Sequence, residues 1–189
     1  MKRAILLGDS PFLGEIENKV QYVLERYYSV GINRIITKFK TSAHVFVDPA
    51  WIRMTNEHPD LFTISLYQYG DLIMKNCKEL YDSYSFNFDT DTYEDLLKNN
   101  ELAWCGFTHD YALSYLIHKG YDDIILMGTA DFISKTHYSN PYDLICSDKL
   151  KMKSKRFIEE VCCKKANIQT CNPKSILEIP RISIDELLS

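Results

Sequence analysis

The sequence predicts an α/β protein of Rossmann type, a single domain with a mostly parallel, doubly wound sheet and a lid loop. Three observations predict it. Residues 4–7 form a short, unbroken apolar run closed by Gly8-Asp9-Ser10-Pro11, the pattern of a strand buried on both faces, and helical spacing follows at once. The same grammar returns at residues 108–128 as helix, Gly120, apolar strand and Gly128, which is the second half of a doubly wound fold. Finally, 189 residues with 46% apolar and 25% charged side chains suffice for one well-buried core and are short for two.

Taken in order, Phe12, Ile16, Val20, Val23 and Leu24 recur at helical spacing through Tyr27 and Tyr28, predicting a helix that ends near Gly31. Residues 32–39 contain a second strand, and 43–47 a third that stops at Asp48-Pro49. Residues 62–67 alternate well enough for another, less buried strand. Residues 71–84 carry a weak helical pattern, and 85–92 are polar, aromatic and irregular. Thr92 can cap a helix starting at Tyr93, with Asp95 answering three residues on. Residues 108–119 hold Tyr111, Ala112, Tyr115 and Leu116 on one stripe before the strand at 122–128. Residues 132–147 have little periodicity, and a loop of that length in a compact domain serves as a lid or binding segment. A helix over 149–165 with Leu150, Phe157, Ile158 and Val161 inward, a short strand over 167–171 and a helix over 183–188 complete the chain.

The formal charge of −4 leaves no basic footprint for a duplex, so nucleic acid is a disfavoured partner. Lys149, Lys151, Lys153, Lys155 and Arg156 form one local basic stretch, read as a solvated helix face. The six cysteines lack a C-x-x-C pair and a finger-spaced histidine, so no metal site or disulfide ladder is indicated and reduced, cytoplasmic thiols are expected. The N-terminal apolar run ends at Gly8-Asp9, too short for a signal peptide, and no stretch reaches the roughly 20 apolar residues of a membrane span. The expected protein is soluble.

A buried strand feeding a tight turn and then a helix sets free amides and a positive dipole at the sheet's carboxyl edge, where phosphates bind. Gly8, Asp9 and Ser10 are therefore candidate nucleotide-binding residues. The turn is neither G-x-G-x-x-G nor a P-loop, and Asp9 would repel a phosphate; it suits ribose or sugar hydroxyls, or a cation. Asp48 ends the third strand on the same edge, either sharing a ligand with Asp9 or capping the turn at Pro49. Thr108 or Asp110 caps the helix they open, and His109 reads as structural. His137, with Tyr138 and Tyr142 in a polar loop, is either a base at neutral pH or an exposed, inert side chain.

In sequence order these landmarks resemble the bacterial sialyltransferases of glycosyltransferase family 42 and related Rossmann-like proteins of the motility-accessory type. The family's strand followed by Gly-Asn-Gly-Pro-Ser-Leu is similar to Ile5-Leu-Leu-Gly8-Asp9-Ser10-Pro11-Phe12-Leu13. Its Phe-Tyr-Asn-Pro looks like Val45-Phe-Val-Asp48-Pro49. Its Leu-Gly-Tyr-Lys-Glu-Ile-Tyr-Leu-Ser-Gly-Ile-Asp-Phe resembles the stretch from His118 to Phe132, and its Cys-Pro-Asn-Ser-Leu-Leu resembles Cys171 to Leu177. The resemblance covers nearly the whole chain and implies a GT-A-variant, sialyltransferase-like domain over residues 1–189, with a lid at about 132–148. It further implies a CMP- or UDP-sugar donor, a hydroxyl acceptor, and transfer without metal or other cofactor. Gly8, Asp9, Ser10 and Asp48 would face the nucleotide, and Thr108 would replace a nucleotide-contacting Ser. Tyr138, with Tyr142, would hold the departing phosphate, and a histidine would act as base. Two family Asn residues stand here as Asp9 and Asp48, implying a different nucleotide or sugar. The family's base position falls on Cys146, leaving His137 as the nearest imidazole. Non-catalytic nucleotide binding and a DNA-modifying transferase are the alternatives.

Overall fold

The computed structural model describes residues 1–58, 60–74, 78–97, 101–131 and 147–189. Its strands are β1 (Arg3–Leu7), β2 (Tyr28–Ile32), β3 (Ala43–Val45), β4 (Phe62–Leu66), β5 (Lys78–Ser85), β6 (Glu101–Trp104), β7 (Asp123–Met127) and β8 (Asn167–Thr170). All pair in parallel, in the order β6-β5-β4-β3-β2-β1-β7-β8. The helices are α1 (Leu13–Arg26), α2 (Ile52–Asn56), α3 (Thr108–His118), α4 (Asp148–Arg156) and α5 (Ile184–Leu188). This is the α/β, Rossmann-like arrangement the sequence predicts.

The continuous apolar run of β1 follows from its place. Successive side chains point to opposite faces, and both faces are covered. Ala4 and Leu6 join Val30, Ile124 and Leu126 under α3 and under the turns after α4, where Phe157, Ile158 and Cys162 are buried. Ile5 and Leu7 join Ile125 and Met127 under Leu13, Val20, Val23 and Leu24 of α1, with Ile184 and Leu187 of α5. The outer edge of β8 is closed by residues 180–182, where the Thr170 and Ile182 amides donate to Pro180 and Thr170 carbonyls at 3.0 and 3.1 Å. Among the described residues no helix is long and apolar enough to cross a membrane.

Several elements differ from the sequence expectation. The second strand is Tyr28–Ile32, not within 32–39, and Gly31 lies inside it instead of ending α1. A side chain at Gly31 would meet Ile35 and Thr41 at 3.0 Å, so this glycine serves close packing. The weakly helical stretch contains β5, a strand that pairs with β4 through residues 78–81 and with β6 through 82–85. Strand β6 was not anticipated. Thr92 does begin a short 3₁₀ helix at Tyr93, its hydroxyl accepting from the Glu94 amide at 3.3 Å. Leu150, expected inward, is 40% exposed, whereas Phe157, Ile158 and Val161 are buried. Most of the predicted lid lies outside the described residues. Ser147 caps α4, its hydroxyl accepting from the Leu150 amide at 3.3 Å.

Candidate functional site

Strand order reverses at β1. The chain leaves it through α1 to β2 on one side, and β7 joins on the other, so the carboxyl ends of β1 and β7 flank the crevice where open α/β sheets bind ligands. Two glycine turns interlock there. The Gly8 and Ser10 amides donate to the Met127 and Gly128 carbonyls at 3.0 and 2.8 Å. A Cβ on Gly8 would fall 2.5 Å from Gly128 O and from Thr129 Cβ. Gly128, at φ +63°, has Leu13 where a Cβ would come to 2.6 Å.

The expected cradle of free amides is not built. Besides Gly8 and Ser10, the Phe12 amide donates to Ser10 Oγ at 3.3 Å. The Leu13, Gly14 and Glu15 amides donate to Ser10, Pro11 and Phe12 carbonyls at 3.1, 3.0 and 3.0 Å. What α1 contributes to the crevice is its dipole, and donors for an anion must come from side chains.

Asp131 ends the β7 turn, directly after Ala130, a non-glycine residue at φ 54°. That left-handed backbone costs of the order of 1–3 kcal/mol and directs Asp131 back into the protein. Asp131 is 5% exposed, and among the described residues neither carboxylate oxygen has a hydrogen-bond partner. Burial pushes its pKa up, while the nearby side chains of Ser10 and Asn172 favour the charge in part. A buried carboxylate in this condition gains from a ligand that brings hydroxyl or amine donors.

On the other side of β1 the rim runs to β3. Asn33, at φ 51°, turns the chain out of β2, and its carbonyl accepts from His44 Nε2 at 2.7 Å. His44 Nδ1 lies 3.2 Å from Thr55 Oγ1 of α2. Arg34 is thereby set beside β1, its Nε 3.3 Å from Asp9 Oδ2 and its guanidinium 5.7 Å from the Trp51 ring centroid. Trp51 belongs to the 3₁₀ turn Pro49–Trp51, which Asp48 caps by accepting from the Ala50 amide at 2.9 Å. Asp48 therefore has the capping role, and Asp9 is ion-paired. The two carboxylates share the carboxyl edge and are joined through Arg34 and Trp51.

Thr108 is not brought to this crevice. It opens α3 after the edge strand β6, five positions from β1 in the strand order, and the Tyr111 hydroxyl donates to Ser65 and Tyr81 carbonyls at 3.2 and 3.3 Å, over β4 and β5. Next to it, Asp110 Oδ2 accepts from the Phe107 amide at 3.1 Å, capping the helix. Ser154 Oγ of α4 donates to Asp110 Oδ1, and His109 Nε2 donates to Ser154 Oγ at 2.9 Å. Burial pushes Asp110 up to about 7 and His109 down to about 3. His109 is thus structural. His137, Tyr138, Tyr142 and Cys146 lie outside the described residues.

Arg34, Trp51, Asp131 and Asn172 stand at this candidate site and were not singled out by sequence reasoning. Placing β2 at 32–39 hid Arg34 inside a strand; with the strand ending at Ile32, an arginine appears two residues past a carboxyl end. The basic stretch on α4 is largely paired: Lys151 with Asp148 at 3.6 Å, Lys155 with Glu159 and Glu178 at 2.6 and 3.3 Å, Arg156 with Glu160 at 2.7 Å. A cleft of about 340 Å³ lies on the opposite, amino edge, lined by Lys38, Lys40, Glu57 and His58 among others. Cys105, Cys162, Cys163 and Cys171 are free thiols, and burial pushes Cys105 and Cys171 up to about 12, which leaves them unreactive. Compared with protein-family models, with curated proteins and with solved structures, the chain finds no match.

Proposed function

We propose that the chain is a nucleotide-sugar-dependent glycosyltransferase whose donor lies along the carboxyl edge at β1 and β7. The observation that carries the reading is Asp131, a buried carboxylate without a hydrogen-bond partner among the described residues, at the point where strand order reverses. A cytidine or uridine nucleotide-sugar brings hydroxyls and amines to it, and brings phosphate to the positive end of α1. Transfer breaks the bond between sugar and phosphate, so charge grows on the departing phosphate. Stabilising that charge is the larger catalytic effect. In this reading Tyr138 and Tyr142 hold that phosphate, and His137, the imidazole nearest the family's base position at Cys146, takes the acceptor hydroxyl's proton.

The test is thermal unfolding against a panel of cytidine and uridine nucleotides and their sugars. A ligand at 100 times its Kd adds about 2.7 kcal/mol, so a shift with one base and none with the other supports the reading and identifies the nucleotide. No shift with any at millimolar concentration removes it. Cys146 at the family's base position favours a second reading, binding without transfer. Nucleotide binding with no release of nucleotide from any sugar donor, unaltered by His137→Ala, distinguishes it. The ion-paired lysines of α4 lend the DNA-modifying alternative no support.

A further inference from the structure

We infer that Arg34 is the anion-recognition residue of this rim, taking a phosphate-class oxyanion on the two terminal nitrogens of its guanidinium while Asp9 holds it through Nε. The inference rests on the proposed ligand position but not on sugar transfer. The turn after β1 commits its amides at Gly8, Ser10 and Phe12 inside the protein, so an anion drawn to the α1 dipole needs side-chain donors. Among the described residues Arg34 is a cation placed to give them. Its side chain is 21% exposed and that of Asp9 is 7% exposed. Arg34 Nε lies 3.3 Å from Asp9 Oδ2 and the guanidinium carbon 5.7 Å from the Trp51 ring centroid, and among the described residues no hydrogen bond is formed by the terminal nitrogens. A planar fork fixed at one edge and open at the other matches two oxygens of a phosphate, a geometry that lysine cannot reproduce.

This assignment also explains Asp9. A bare carboxylate beside a phosphate would repel it. Paired with Arg34, Asp9 adds no net charge and instead acts as a positioning residue, and Asp48 holds the turn that places Trp51 against the same guanidinium.

The experiment is calorimetric titration of the full chain with inorganic pyrophosphate, and separately with CMP and cytidine, for the wild type, Arg34→Lys and Arg34→Gln. Loss of a charge-assisted hydrogen-bond pair is expected to weaken pyrophosphate by about 10-fold or more in Arg34→Gln, with Arg34→Lys recovering only part. Equal affinity in wild type and Arg34→Gln, or no pyrophosphate binding by the wild type at millimolar concentration, overturns the assignment. Should Arg34→Gln not fold, Trp51 emission in a Trp104→Phe chain replaces it, since these are the two tryptophans. A response to pyrophosphate supports Arg34, and unmoved emission overturns it. Cytidine and CMP binding equally well, without pyrophosphate binding, would remove Arg34's role and keep the nucleotide reading. Pyrophosphate bound through Arg34 with no preference for any nucleotide would do the reverse.

Discussion

Asp110 and His109 share one buried hydrogen-bond chain through Ser154, yet their titrations pull stability in opposite directions. Asp110 is pushed from 3.8 up to about 7 by burial, so the folded state keeps a proton that the unfolded chain has released. Its stabilisation is full below about pH 4 and is lost as pH rises towards 7. His109 is pushed from 6.5 down to about 3, so the unfolded chain gains a proton first, and that contribution is lost as pH falls from 6.5 towards 3. Between about pH 4 and 6.5 the two slopes cancel. Relative to wild type, Asp110→Asn is expected to gain stability with rising pH in that window, by up to about 1.4 kcal/mol per pH unit, and His109→Gln to lose it at a similar slope. Urea unfolding at several pH values measures this, and parallel curves for all three chains would refute it. Asp131 obeys a related logic. Removing its buried, only partly compensated charge through Asp131→Asn is expected to raise stability by roughly 1 kcal/mol at pH 8 while weakening the ligand, a trade expected of a binding residue. A thermal scan with and without nucleotide reads both effects.

The two interlocked turns form the element on which the site depends. Gly8→Ala would drive a methyl against the Gly128 carbonyl and Thr129, and an expected loss of about 3 kcal/mol follows from overpacking against backbone. An unchanged denaturation midpoint would contradict this close approach. This element was legible in the sequence because its cues are local: an apolar run, a glycine turn, then helical spacing through Val20, Val23 and Leu24. Strand β2 was not, because only Tyr27 separates it from α1 and no Gly or Pro marks the join; Gly31 then read as a helix end. Strand β5 misled for a different reason. It steps between two partners and exposes Asp82, Ser83 and Ser85, so its pattern lacks the apolar content of a buried parallel strand. The candidate site followed the same division. Gly8, Asp9 and Ser10 stand at the carboxyl end of β1 as the sequence places them, whereas Arg34 was lost with β2, and Thr108 opens α3 directly after β6, an edge strand absent from the sequence reading.

At the scale of the whole molecule, stability concentrates at the central strands. Leu6 lies in β1 between β2 and β7 and is fully buried beneath α3. Leu6→Ala is expected to cost about 3 kcal/mol, and amide exchange should be slowest in β1, β2 and β7 and faster at β6 and β8. Protection highest at β6 would contradict the sheet order. The same topology underlies the proposal that ligand lies at the carboxyl ends of β1 and β7, and an amide-resolved NMR titration with CMP and UDP tests that claim most directly. The account predicts shifts concentrated at Gly8, Asp9 and Ser10, and at Gly128, Thr129, Ala130 and Asp131. Shifts gathered instead at Lys38, Lys40 and His58 on the amino edge, or none at millimolar nucleotide, would contradict it.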